Sequence, residues 1–320
     1  MAARGQTVPV WQLAAAALAG ALLAALLSAA SRAAPRDGAP RFVAQPVGAP
    51  LAEPYLWLMR MALTGSLTDE AGRCNPGAGG NGCLLDKLLP YEPELRERGN
   101  DWPPFGHTMI GHLRLRNIET LLREAVAGGV PGAFAELGVW RGGACVYARA
   151  VLNVLGEVDR PVLAFDAFDA IARKTDGYAR YGLQGADFIA TDQATVTHNF
   201  EKYFGALPPS VRFHPGFFNE STKAFREGAP RGTRIAVLRV DGNFYDSYQD
   251  VMYNLYEFVP VGGYVIFDDI LGFPDVQRFW SDFKADQGLV EELVQIDDFS
   301  TWFKKVRDVK IDFSKKRSGA

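Results

Sequence analysis

Apolar and polar positions change rhythm along this chain. From Ala133 onward, short β-rich apolar runs alternate with amphipathic stretches. They predict strands at 133–138, 162–166, 210–214, 235–240 and 262–268, with helices at about 142–155, 193–204, 221–227 and 246–258. Strand–helix alternation of this kind predicts a parallel sheet with right-handed crossovers. The end breaks the rhythm. After a helix at 275–286, two strand-like runs, Val290–Ile296 and Thr301–Val306, flank Asp297-Asp-Phe-Ser and predict an antiparallel hairpin. Upstream, Leu115, Ile118, Leu122 and Ala125 recur at helical spacing within 112–127, the mark of an amphipathic helix lying on the sheet. A short helix begins in Tyr55–Thr64, and the stretch from there to Asp101 reads as a partly irregular cap.

The first residues follow other rules. No charge occurs between Arg4 and Arg32, and Leu13–Ala30 is almost entirely Ala and Leu. That span sits at the lower limit for crossing a bilayer, about 20 apolar residues, and Ser28-Ala-Ala30 offers a small-residue cleavage site. Residues 1–32 are read as a signal anchor or signal peptide, with an organelle transit peptide as the alternative. Residues 33–54, rich in Ala, Pro and Arg, read as a linker, and 311–320 as a polar tail. An anchor or signal implies a secretory location, membrane-anchored in the Golgi or ER lumen, or secreted. Such an oxidising compartment favours a disulfide between Cys74 and Cys83, whose Gly-rich loop lets them meet. Cys145 sits alone in a predicted helix and reads as a small buried apolar residue. At 320 residues and 48% hydrophobic, the chain can bury a sizeable core. Its net charge of −3 gives no reason to expect nucleic acid.

Chemistry gathers at the predicted strand ends. Phe134-Ala-Glu136-Leu-Gly138 closes the first strand and Gly142-Gly143 opens a helix. The spacing is not the Gly-x-Gly-x-x-Gly of pyrophosphate binding. An acid just before the glycine repels a pyrophosphate but suits the ammonium of an amino-acid ligand, which points to S-adenosylmethionine rather than NAD. The second strand ends at Asp166, placed to accept both ribose hydroxyls of an adenosine. A plain turn or a helix cap is the bland alternative for each.

Asp241 ends the fourth strand, and Asp268 with Asp269 ends the fifth. In a parallel sheet, ligands collect at the carboxyl ends of strands, and clustered carboxylates are the donors Mg2+ prefers. Taken singly, each Asp would read as an N-cap. The candidates for a catalytic base are Asp246, read as one helical turn from Asp241, and His107, which precedes the N-terminal amphipathic helix. A lone His is also commonly structural.

The ordered series Tyr55-Leu-Trp-Leu-Met-Arg, His107-Thr-Met-Ile-Gly, Phe134-Ala-Glu-Leu-Gly-Val-Trp-Arg-Gly-Gly, Phe165-Asp-Ala-Phe-Asp, Arg239-Val-Asp-Gly-Asn-Phe-Tyr-Asp-Ser and Gly262-Gly-Tyr-Val-Ile-Phe-Asp-Asp resembles the macrocin O-methyltransferase family over about residues 55–306. The resemblance implies an α/β, Rossmann-like class I methyltransferase. Its mostly parallel seven-stranded sheet, ending in an antiparallel hairpin, occupies 129–310, with an N-terminal helical cap at 55–128. It further implies Thr108, Met109, Glu136, Gly138 and Asp166 around S-adenosylmethionine, and Asp241, Asp268 and Asp269 as Mg2+ ligands. Three positions depart from the family pattern: Asn243 for Asp, Asp246 for Glu, and Ile270 for an aromatic. The expected activity is Mg2+-dependent O-methylation of a hydroxyl on a sugar or glycosylated metabolite. Methylation of a vicinal-diol phenolic and a catalytically silent, membrane-tethered module of the same fold are the alternatives. The expected partners are a small-molecule or glycan acceptor and, if the N-terminal segment is uncleaved, a membrane; a homo-oligomer is left open.

Overall fold

The computed structural model describes residues 49–74, 87–168 and 187–317. The cap begins with helix α1 (Ala49–Leu63), followed by strands β1 (Gly72–Cys74) and β2 (Leu88–Leu89), helix α2 (Pro93–Arg98), strand β3 (Asp101–Trp102) and helix α3 (His112–Ala127). Helix α1 starts inside the stretch read as linker. Pro50 falls in its first turn, where a missing N–H costs no helical bond. The three short strands pair antiparallel in the order β2-β1-β3. Strands of two or three residues have no period to read, so the sequence gives only an irregular cap here. Arg96 holds it together. Buried to 1% exposure, it reaches both Asp101 oxygens at 2.7 Å and the carbonyl oxygens of Thr64 and Glu70.

The main body follows: β4 (Ala133–Leu137), α4 (Gly143–Val154), β5 (Val162–Asp166), α5 (Gln193–Phe204), β6 (Val211–Pro215), α6 (Phe218–Gly228), β7 (Ile235–Val240), α7 (Tyr245–Leu255), β8 (Tyr264–Phe267), α8 (Pro274–Asp286), β9 (Val294–Gln295) and β10 (Thr301–Lys304). The seven strands run in the order β6-β5-β4-β7-β8-β10-β9. Five are parallel; β10 pairs antiparallel with both β8 and β9. Strands β4, β5, β7 and β8 are buried along their whole length, as expected for parallel strands covered on both faces. One face is filled by aromatic contacts among Tyr248, Phe267, Phe279, Trp280 and Phe303. Burying each such ring contributes roughly 1.5–3 kcal/mol.

The chain leaves β4 toward β5 and β6, then returns to place β7 on the other side of β4. That reversal opens a crevice beyond the carboxyl ends of β4 and β7, where open α/β sheets bind ligands. Among the described residues, three of the four non-glycine residues with positive φ lie in loops at this edge: Trp140 after β4, Phe168 after β5 and Asn243 after β7. Each left-handed turn costs on the order of 1–3 kcal/mol, a strain typical of ligand sites.

Among the described residues no helix is long and apolar enough to cross a membrane. The segment 1–32 lies outside them, as does Cys83; Cys74 is disulfide-bonded and Cys145 is a buried free thiol. The polar tail is partly tethered rather than simply solvated. Lys316 pairs with Asp250 at 2.7 Å, and Gln249 exchanges two 2.9 Å bonds with the Arg317 backbone.

Candidate active site

Hydrogen bonding continues one residue past the ends of β7 and β8. The Asp241 N–H donates to the Leu137 carbonyl at 2.9 Å, and the Asp268 N–H to the Val240 carbonyl at 3.0 Å. Both aspartates are thus set by the sheet rather than by flexible loops. Asp241, Asp268 and Asp269 each offer a carboxylate oxygen, all within 4.8 Å of one another. The sequence expectation that these three meet is met.

Two arginines stand behind them. Register places Arg239 beside Glu136 on the neighbouring strand. Its guanidinium contacts Glu136, Asp241 at 3.1 Å and Asp268 at 2.6 Å. Arg114, from α3, reaches Asp268 at 2.8 Å and Asp297 at 2.6 Å. Four carboxylates therefore share two guanidinium groups, and Asp269 stands beside them as a fifth. Where the arginines bear directly, the carboxylate stays charged: burial would raise Asp268, but Arg114 and Arg239 outweigh it and hold its pKa below the usual range. At the other two aspartates burial and neighbouring negative charge prevail, although Arg239 also touches Asp241. Burial and Asp268 push Asp241 up to about 6, and burial with Asp241 and Asp268 lifts Asp269 well above the carboxylate range. A protonated Asp269 then donates a hydrogen bond to Asp241. An oxygen-rich, half-open cluster short of positive charge fits a hard divalent cation.

The glycine loop after β4 abuts this cluster. Gly138 has φ +89°, and a Cβ there would lie 2.1 Å from the Asp241 carbonyl oxygen. At the far end of the loop the Gly143 N–H donates to the His107 carbonyl at 2.9 Å, and a Cβ on Gly143 would strike His107 and Thr108. The segment carrying Thr108 and Met109 is thereby pressed onto the start of α4, with Thr108 buried and Met109 half-buried. Arg141 adds bonds to the carbonyls of Pro104 (2.7 Å) and Gly106 (2.9 Å). Asp166, 4% exposed, accepts the backbone N–H groups of Val139 and Phe168, each at 3.0 Å. It joins the loops after β4 and β5.

Glu136 is enclosed more deeply than the sequence indicates. One oxygen faces Arg239 and the other accepts from the Cys145 thiol at 2.8 Å; burial, against the pull of Arg239, pushes its pKa up to about 7. His107 bonds the Tyr203 hydroxyl through Nδ1 at 2.8 Å. Burial, then Lys202 and Arg141, lowers its pKa to about 4. Asp246 is exposed in the first turn of α7, separated from Asp241 by the loop through Asn243 rather than by a helical turn. Asn243 itself takes φ +60°, a conformation Asn and Asp tolerate better than other side chains. Asp169, quoted in the second motif, lies outside the described residues.

Sequence reasoning missed Arg114, Asp297 and Ser300, and gave Arg239 no role. Two signals were present. Arg239 is the one charge inside an otherwise apolar strand, and Arg114 stands four residues before Ile118 on the buried stripe of α3.

A sheet of this order with a glycine loop at its switch point is a methyltransferase fold. The sequence matches the family model for Macrocin-O-methyltransferase (TylF) over residues 79–305. It is 38% identical to demethyldecarbamoylnovobiocin O-methyltransferase of Streptomyces niveus, over 79% of this chain and 94% of that one. It is 36% identical to mycinamicin III 3''-O-methyltransferase of Micromonospora griseorubida, over 65% and 82%. The structure of the O-methyltransferase NovP superposes with a TM-score of 0.68 at 32% identity, covering 80% of this chain and all of that one. The chain belongs to the macrocin O-methyltransferase family and is an O-methyltransferase of the S-adenosylmethionine-using kind. The membrane-anchored secretory location read from the sequence is corrected. Its relatives come from Streptomyces and Micromonospora, bacteria without a Golgi or endoplasmic reticulum.

Proposed function

We propose that this enzyme methylates a sugar hydroxyl of a small glycosylated metabolite, with Mg2+ held by Asp241, Asp268 and Asp269. The observation that carries the reading is the contact of Gly138 with Asp241, which joins the glycine loop and the acidic cluster into one site. The relatives' names support the acceptor class: one is a 3''-O-methyltransferase of mycinamicin III and another a 4'-O-methyltransferase of a rhamnosyl tetracenomycin.

The chain's own residues divide the work. Asp166 and the Gly138 loop receive the adenosine half of S-adenosylmethionine, with Thr108 and Met109 closing over it. Glu136, the acid just before that glycine, is the residue that receives the ammonium of the methionine half. A bound Mg2+ supplies charge that lowers the pKa of an acceptor hydroxyl. Fixing donor and acceptor on adjacent strand ends contributes the orientation that methyl transfer needs. Asp246 is assigned as the proton acceptor, because it stands exposed at the start of α7 just beyond the loop after β7, whereas His107 is occupied by Tyr203.

The test is incubation of the full chain with S-adenosylmethionine, Mg2+ and a panel of rhamnosides and phenolic diols, read by mass spectrometry. Methyl gain on a sugar hydroxyl supports the reading; methylation of the phenolics alone refutes it.

A further inference from the structure

We infer that Arg114 is a positioning residue for the metal site, a role that rests on the Mg2+ reading above: its fork fixes the direction in which the Asp268 carboxylate faces. Arg114 comes from the cap helix α3, yet its side chain is only 8% exposed at the sheet edge. Its Nη1 holds Asp268 Oδ2 at 2.8 Å while its Nε holds Asp297 Oδ2 at 2.6 Å. The second Asp297 oxygen accepts the N–H groups of Phe299 and Ser300, each at 2.9 Å. The Ser300 hydroxyl then returns to Asp268, bonding its carbonyl oxygen and its Oδ1. These bonds close a ring through Arg114, Asp297, Ser300 and Asp268.

The ring is rigid for packing reasons too. Phe299 lies under the Arg114 guanidinium at 5.7 Å, and its ring sits 2.6 Å from where a Gly272 Cβ would stand. Asp268 Oδ1 has a second arginine, Arg239, at 2.6 Å. Arg114 is the arginine on Oδ2. Without it, the carboxylate keeps one clamped oxygen and turns about it. Outer partners of this kind orient metal ligands, and their loss weakens metal binding about 10–100-fold.

Charge and orientation predict opposite signs, which makes the role testable. Removing a cation beside a metal site strengthens binding if only charge matters. It weakens binding if the fork positions Asp268.

The experiment is titration of the full chain with Mn2+, followed by the free-ion paramagnetic resonance signal, in wild type, Arg114→Met, Arg114→Lys and Asp297→Asn. S-adenosylhomocysteine affinity and melting temperature are measured alongside. Arg114→Met is expected to bind Mn2+ roughly 10–100-fold more weakly with S-adenosylhomocysteine affinity unchanged. Arg114→Lys, which keeps the charge but loses the fork, stays well below wild type. Asp297→Asn removes an anion, so charge and orientation both weaken Mn2+ there; if Arg114→Met does not fold, Arg114→Lys decides, since charge alone leaves its affinity at the wild-type value. Unchanged or tighter Mn2+ binding overturns the proposal, as does a parallel loss of S-adenosylhomocysteine affinity, which would mark a merely structural role. A wild type that binds S-adenosylhomocysteine but no Mn2+ overturns the cation reading, and the positioning role with it.

Discussion

The α-carbon of Gly138 faces the carbonyl oxygen of Asp241 so closely that a Cβ would lie 2.1 Å from it. The glycine loop and the acidic cluster are therefore mechanically one unit. Gly138→Ala is expected to destabilise the protein by at least roughly 1–3 kcal/mol from the positive φ alone. It should weaken S-adenosylhomocysteine and Mn2+ together. Calorimetry on the two ligands checks this; loss of one without the other would separate the two halves of the site.

Asp166 ties two loops through the Val139 and Phe168 amides. Asp166→Asn keeps an acceptor but loses the charge. S-adenosylhomocysteine affinity should fall by about 1.5–3 kcal/mol, the worth of a charge-assisted hydrogen bond. Unchanged affinity would remove Asp166 from the cofactor site.

Arg239 contacts Glu136, Asp241 and Asp268 from the penultimate position of a buried strand. Arg239→Leu leaves those carboxylates facing one another and should cost about 3–5 kcal/mol of stability. Urea unfolding measures it. Added Mg2+ should recover part of the loss, since a cation restores the missing charge.

His112, buried at 7% exposure, bonds Ser66 at 2.9 Å, and burial lowers its pKa to about 4 from 6.5. Between those values the unfolded chain binds the proton and the folded one does not. Stability from this group is therefore full above pH 6.5 and lost as pH falls toward 4, on the order of 3 kcal/mol in total. The difference in unfolding free energy between wild type and His112→Gln, followed over that window, should shrink as pH falls. A flat difference would refute the shift.

How much of this was legible depended on period and length. Long apolar runs such as Ile235–Val240 announced their strands, and His112–Ala127 announced its helix, because several residues repeat one rule. The acids at the ends of β7 and β8 were found because strand ends converge on one edge. The cap sheet was missed because strands as short as Leu88–Leu89 carry no pattern, and its organiser, Arg96, works through two carbonyl oxygens that no sequence displays. Arg114 and Asp297 lie 183 positions apart, and only the folded hairpin turn brings them together.

The most direct measurement is methyl transfer from S-adenosylmethionine to a rhamnosylated acceptor, by chelator-stripped full-length enzyme before and after Mg2+ is restored, with Asp269→Asn in parallel. Turnover should vanish on stripping, return with Mg2+, and stay absent in Asp269→Asn although that variant still binds S-adenosylhomocysteine. Undiminished turnover after stripping would contradict a metal at Asp241, Asp268 and Asp269.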